Sequence, residues 1–513
     1  ELVMNFIGLR LEDHDSNITY TNGTDIKYYN TERDYQSKHF GYKNMTSWPE
    51  VLKRWDIDPH EVNAIGIVFD NHKYPKLKCD HKQVYEKIEI PLFRDMGFYC
   101  PIYRIDHHYA HAKSLWPLNV DTTIDFVYDG FGDDRITRTI FKDGKRTQVG
   151  TIEDSPSFGS VLGDIGGHIL KLSGWDSDMA GKVMALKAHG RLSQESIEKT
   201  KLELQTYEKC TIDGIRDLWN LPYLERLVYN SISEEGEDLK IVDHIQFCHD
   251  VTEDIFLKYF MENSTKEDVI GYSGGVALNT IINSKLRHAR NIHIPPHTND
   301  GGLSLGIVEV LREIYNEEPF ERDGFPFWQD DEAPVDRPSQ RTIDETCELL
   351  ADGNIVGWYQ GHGECGPRAL GNRSILMRPD LRGGKKIIND RVKHREWFRP
   401  FGASILEEDV SEYFEFEGKS EFMLYNMPIK DQGTFDPISH VDGTCRAQTV
   451  GQDKQDFYNL LSTFKDITGL PMVLNTSLNQ GGAPVAGRIN DALGILHNTD
   501  LDVLVVGDAI YSK

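Results

Sequence analysis

The chain has 513 residues, 39% of them hydrophobic and 27% charged, with a formal net charge of -26. That length predicts two to four domains, and so acidic a surface repels phosphate backbones, which argues against a general nucleic-acid binder. No apolar run approaches the ~20 residues that span a bilayer, the first residues lack a basic flank ahead of an apolar stretch, and the seven cysteines never form a C-x-x-C pair, so a cytoplasmic protein without a disulfide framework is expected.

In chain order, the first feature is GLRLEDHDSN (8–17), where His14 lies among acidic residues after an apolar segment. A neutral imidazole can take a proton from a hydroxyl, although a turn histidine is the simpler reading of this run alone. A buried strand is predicted at Ala64–Phe69. IDHHYAHA follows, with His107 and His111 at i, i+4, where one helix face can present both rings to a metal. His108 points elsewhere and reads as a local hydrogen-bonding residue. A strand at Ile124–Tyr128 leads into DGFGDD, where Asp129, Gly130 and Gly132 open a tight turn whose N–H groups can face a phosphate. In GKVMALKAHG (181–190), Lys182 can pair with a phosphate or with a carboxylate. A helical pattern covers 194–209.

A strand at Val269–Tyr272 runs into Gly274, Gly275 and Asn279, and a strand–Gly–Gly–helix order places anions at a helix N-terminus. Asp300, followed by two glycines, is a candidate third metal ligand; two His and one carboxylate suit iron(II) or another divalent ion. A second helical pattern spans 304–316. Residues 317–338, rich in Pro and acidic residues, read as a linker between units at 1–325 and 338–513.

Beyond it, strands are predicted at Ile355–Tyr359 and Val503–Val506, and the alternation of strands with helical patterns makes the fold class α/β. The segment from Arg368 to Arg399 is densely basic within an acidic chain, which points to an anionic ligand. Arg368 lies in GPRALGNRS, Lys393 and Arg399 in VKHREWFRPF, Arg446 in HVDGTCR, and Asn475 and Ser477 in NTSLN. Arginine forks fit phosphate and carboxylate oxygens, and cations drawn from separate segments suit a small, highly charged anion such as an acyl phosphate. Cys365 has no histidine partner and reads as a small buried residue.

Taken in order from HDSN to NTSLN, these motifs resemble the carbamoyltransferase family of antibiotic and nodulation-factor biosynthesis over nearly the whole chain. The resemblance implies an actin-like, threonylcarbamoyl-transferase-like N-terminal domain and a YrdC-like α/β C-terminal domain. It implies that carbamoyl phosphate and ATP give carbamoyl adenylate in the C-terminal domain, at Arg368, Lys393, Arg399, Arg446, Asn475 and Ser477. The carbamoyl group then passes to an acceptor hydroxyl in the N-terminal domain. His14 and Lys182 are the expected catalytic residues there, with nucleotide at Asp129, Gly130, Gly132, Gly274, Gly275 and Asn279. His107, His111 and Asp300 would hold Fe2+ or a similar ion, and Mg2+ is a candidate companion of ATP. Carbamoyl phosphate and a hydroxylated small molecule are the expected partners, with a homodimer as a candidate assembly and no nucleic acid or membrane. Where the family reads KVMGLAPYG this chain reads KVMALKAHG, which bears on the acceptor pocket. Two alternatives are a threonylcarbamoyl-type transferase acting on tRNA, which the net charge opposes, and a non-catalytic nucleotide-binding regulator, which need not keep base, metal ligands and cations together.

Overall fold

The structure, a computed structural model, describes residues 4–11, 14–42, 44–69, 83–130, 132–151, 162–163, 176–203 and 239–513. The first sheet holds β1 (Phe6–Arg10), β2 (Asn17–Thr21), β3 (Ile26–Asn30), β4 (Ala64–Val68), β5 (Tyr85–Ile88) and β6 (Ile102–Ile105). Its order is β3-β2-β1-β4-β6-β5. The second holds β7 (Ile124–Tyr128), β8 (Ile136–Lys142), β9 (Lys145–Thr151), β10 (Val269–Ser273) and β11 (Asn291–His293), ordered β11-β10-β7-β8-β9. Each sheet starts with a three-stranded antiparallel meander, and its first strand then takes a parallel neighbour on the other side. One pattern laid down twice is the architecture of an actin-like unit, as the resemblance implies.

The third sheet is mixed. It contains β12 (Val356–Tyr359), β13 (Arg373–Met377), β14 (Gly402–Leu406), β15 (Asn426–Pro428), β16 (Thr444–Val450), β17 (Met472–Ser477), β18 (Val503–Val506) and β19 (Ala509–Ser512), in the order β15-β16-β14-β17-β13-β12-β18-β19. The class is α/β throughout. The predicted strands all form, because runs such as AIGIV and VLVV are buried on both faces.

Five helices position the site: α1 (His107–Lys113), α2 (Asp176–Lys187), α3 (Leu239–Glu262), α4 (Thr280–Ala289) and α5 (Leu303–Tyr315). The pattern at 194–209 forms a helix over Gln194–Glu203, and 204–209 lie outside the described residues. Helix α5 packs on β1 and β4 and against α1. At Gly306 an added Cβ would stand 1.8 Å from the Ala110 carbonyl oxygen, so only glycine lets α5 and α1 approach this closely.

Residues 317–338 form a docked strap. Phe320 and Trp328 are buried. Gln329 bridges to Tyr28 of β3 on one side and to Gly363 on the other. Its side chain accepts a hydrogen bond from the Asn30 N–H at 3.1 Å, and Asp331 pairs with Arg373 at 2.9 Å.

Candidate active site

Asp106 caps α1 by accepting the Tyr109 N–H at 2.8 Å, which starts the helix at His107 and puts His107 and His111 on one face. Asp300 begins the turn ahead of α5, and Asp129 follows the end of β7. His107 Nε2 lies 3.2 Å from Asp129 Oδ2 and 3.4 Å from Asp300 Oδ1. His111 Nε2 lies 3.3 Å from Asp300 Oδ1, out of hydrogen-bond alignment, and neither of its ring nitrogens finds a hydrogen-bond partner among the described residues. One ligand atom from each of these four buried residues falls within 4.8 Å of the others. Burial would lower the His107 pKa, but Asp300 and Asp129 raise it to about 10. Despite burial, the neighbouring histidines and Arg10 hold the Asp300 carboxyl well below the usual range.

Two carboxylates and two imidazoles facing one point, with His111 unsatisfied, fit a divalent cation. The donor set suits iron(II), manganese or zinc rather than calcium. Arg10 Nη2 takes the other oxygen of Asp300 at 3.3 Å. The Asn17 side chain donates to the Asp300 carbonyl at 2.9 Å and accepts the Ser304 N–H at 2.9 Å, which fastens the HDSN segment to the ligand turn. His14, half exposed, shares Asp15 with His39: His14 Nδ1 is 2.8 Å from Asp15 Oδ2 and His39 Nδ1 is 2.9 Å from Asp15 Oδ1.

The glycine turns are partly committed to the protein itself. The Gly275 N–H donates to Asp129 Oδ1 at 2.8 Å, the Gly274 N–H to the Thr298 carbonyl at 2.9 Å, and the Gly132 N–H to the Ile136 carbonyl at 2.7 Å. Gly274 has φ +96°, and a Cβ there would meet the Tyr128 carbonyl oxygen at 2.0 Å. Residues 275–278 make a single 3-10 turn, after which the Asn279 side chain accepts the Ile281 and Ile282 N–H groups and caps α4. Gly130 lies at the end of the β7 loop, half-buried.

Across the strap, Arg368, Arg395, Arg399 and Arg446 act on one another electrostatically. The Nε atoms of Arg368, Arg395 and Arg446 are buried without a hydrogen-bond partner among the described residues. Burial and the neighbouring guanidinium groups push Arg368 and Arg395 well below the usual arginine range. Such a cluster favours an anionic ligand. Lys393 Nζ is ringed by acceptors: the Ser477 carbonyl at 2.7 Å and Oγ at 3.3 Å, and the Asn479 carbonyl at 2.8 Å and Oδ1 at 2.6 Å. It organises the NTSLN loop. Asn475 donates to the Ala369 carbonyl at 3.2 Å and to Ser404 Oγ at 2.9 Å, and its Oδ1 is unpartnered. Arg368 Nη2 reaches the Leu278 carbonyl at 3.4 Å, so a single short turn separates the cation cluster from Asp129.

Residues 60–308 match the family model described as the carbamoyltransferase N-terminus, and 347–513 match that of the carbamoyltransferase C-terminus. Nodulation protein NolO of Bradyrhizobium diazoefficiens is 30% identical over 445 residues, covering 80% of this chain and 79% of that protein. The chain belongs to the carbamoyltransferase family. Nodulation protein NolNO of Sinorhizobium fredii is 31% identical over 444 residues, covering 80% of this chain and 64% of that longer protein. The 3'-hydroxymethylcephem-O-carbamoyltransferase of Streptomyces clavuligerus is 30% identical over 348 residues, 65% of each chain. This carbamoyltransferase is therefore a transferase enzyme, and among its described residues no helix is long and apolar enough to cross a membrane.

Two residues of this carbamoyltransferase site, Asp129 and Asp15, escape sequence reasoning in the positions they take. Asp129 was grouped with the phosphate turn, and its carboxylate faces His107, His111 and Asp300; the signal was a carboxylate at the end of a buried strand. Arg395, part of the basic segment from Arg368 to Arg399, stands in the cation cluster with Arg399. Asp15, next to His14 in sequence, orients it. Lys182 meets a carboxylate: its Nζ is 2.5 Å from Glu396 Oε1. Cys365 is buried, and burial pushes its thiol up to about 12, as befits a packing residue.

Proposed function

We propose that this chain is an ATP-dependent O-carbamoyltransferase acting in two stages, with an N-terminal transfer unit at 1–325 and a C-terminal activating unit at 338–513. The observation that carries the reading is the half-buried group of Arg368, Arg395, Arg399 and Arg446, four cations against the single pairing of Arg399 with Glu396, one short turn away from the His107, His111, Asp129 and Asp300 set.

Carbamate is a poor electrophile, and a mixed anhydride with AMP gives it a good leaving group. Carbamoyl phosphate loses its phosphoryl group to water as inorganic phosphate. The carbamate oxygen then attacks the α-phosphorus of ATP and pyrophosphate leaves. The guanidinium groups stabilise charge as it moves between these oxygens. Asn475 Oδ1 and the Ser477 hydroxyl offer neutral contacts to the carbamoyl amide, and Lys393 keeps their loop in place.

Transfer follows at the N-terminal site. His14 Nε2 takes the acceptor hydroxyl proton while Asp15 holds Nδ1, a contribution of roughly 10²–10⁴-fold for a general base. The hydroxyl oxygen attacks the carbamoyl carbon and AMP leaves. A divalent ion held by His107, His111, Asp129 and Asp300 would act as a Lewis acid on the carbamoyl group. Gly130, Gly132, Gly274, Gly275 and Asn279 shape the wall against which the adenylate lies. The acceptor is a hydroxylated small molecule.

The test is pyrophosphate release from ATP and carbamoyl phosphate without acceptor. Arg399→Ala should abolish it. His14→Ala should spare it and block carbamoyl transfer. Release of no pyrophosphate by the wild-type chain, or equal loss in both assays for His14→Ala, rejects the scheme.

A further inference from the structure

Glu396 is a carboxylate set against the cluster of Arg368, Arg395, Arg399 and Arg446: it pairs with Arg399 and acts on Arg395. Its two oxygens point to cations of different origin. Oε1 is 2.5 Å from Lys182 Nζ on α2, in the N-terminal unit. Oε2 is 3.5 Å from Arg399 Nη1, in the C-terminal cluster. Burial would raise the Glu396 pKa, but Lys182 and Arg399 hold it below the usual value, so the group is charged at neutral pH. The Lys182 side chain is only 9% exposed, and a buried ammonium without a counter-charge is costly. Glu396 supplies negative charge beside it.

A carboxylate with one oxygen on a lysine and the other on an arginine presents the same two-oxygen edge as a phosphoryl group. We propose that Glu396 is an internal stand-in for the substrate anion: a phosphate-bearing ligand entering the cluster displaces it from Arg399 and takes over Lys182, so that a side chain of the N-terminal unit completes the anion site of the C-terminal unit. This rests on the reading of the cluster as the site of carbamoyl phosphate and ATP. It also accounts for both sequence-level options for Lys182, which serve in turn: carboxylate when the site is empty, phosphate when it is filled. Glu396 acts through Lys182 and Arg399 and is a positioning residue; Lys182 binds the anion.

The two partners of one ion pair should then affect ligand affinity in opposite directions. Inorganic pyrophosphate is titrated calorimetrically into the full chain. Glu396→Gln removes a competing negative charge and should tighten binding by roughly tenfold. Lys182→Gln removes a ligand and leaves Glu396 to repel the anion, and should weaken binding by at least that factor. Should Glu396→Gln fail to fold, Glu396→Asp withdraws the same charge by one methylene and should tighten binding to a smaller degree. A pair that merely fastens the two units together would move both affinities the same way. That result, or unchanged affinity in the Glu396 variant, overturns the exchange while leaving the activation site standing. No pyrophosphate binding by the wild-type chain overturns the activation site and the exchange with it.

Discussion

At the scale of the residue, His14 is governed by Asp15. Burial would lower the His14 pKa, but the hydrogen bond to Asp15 and the charge of Asp300 raise it above 6.5. A base works deprotonated, so the transfer step should weaken as pH falls through that raised value. Pyrophosphate release, which does not use His14, should keep its rate there. Asp15→Asn removes the acceptor and should move the acid limb of the transfer profile to lower pH, read from single turnovers between pH 5 and pH 9. An unmoved limb would assign the titration to another group. Much of this site was legible in residue spacing: the i, i+4 histidines stand on one helix face, and His108 turns away to Thr139 Oγ1 at 2.8 Å. Asp129 was not legible. Its role depends on Gly275, 146 positions away, and local patterns carry no information over that distance.

The element that decides the ligand geometry is helix α5. It follows directly on the Asp300 turn, presses on β1 and β4, and meets α1 across Gly306. Gly306→Ala drives a methyl group into the Ala110 carbonyl. Overpacking of this kind typically costs about 1–3 kcal/mol. Denaturant unfolding should show that loss, and because α1 is displaced from α5, the variant should also retain less metal than wild type when both are purified without chelator. Full metal retention with reduced stability would mean that the helix spacing does not set the ligand positions. Strands and long helices could be read from the chain, since apolar runs bounded by Gly, Asn or charge leave few alternatives. The meander strands β1–β3 were harder. NITYT and IKYYN mix polar and apolar residues at buried and half-buried positions, which the pairing of β2 with β1 and of β3 with β2, and the cover of α5 over β2, explain.

On the scale of the whole molecule, the two sites share a wall. Arg368 of the C-terminal unit contacts Leu278, and the turn that ends there begins at Gly275 on Asp129. A carbamoyl adenylate formed on one side has a short path to the other. Added hydroxylamine, which converts free carbamoyl adenylate to hydroxyurea, should therefore not reduce the yield of carbamoylated acceptor in the wild-type reaction. Diversion of the carbamoyl group to hydroxyurea in proportion to hydroxylamine would show escape into bulk water. The basic island and the acidic linker announced two chemical centres from sequence. Their closeness is what the passage of an adenylate between two sites requires, and Phe320, Trp328 and Gln329 make the proline- and acid-rich linker a packed part of both units.

That strap has a consequence in time as well. Gln329 closes onto Asn30, 299 positions earlier in the chain. At ~5–20 residues per second of synthesis, β3 waits roughly 15–60 s after it emerges before its last neighbour exists. Contacts of such long sequence separation form slowly even in a finished chain. Helix α5, which covers β1, β2 and β4, emerges almost as late, so the face of the N-terminal sheet and the outer edge of β3 are closed together at the end of the unit, with the strap as the last stitch.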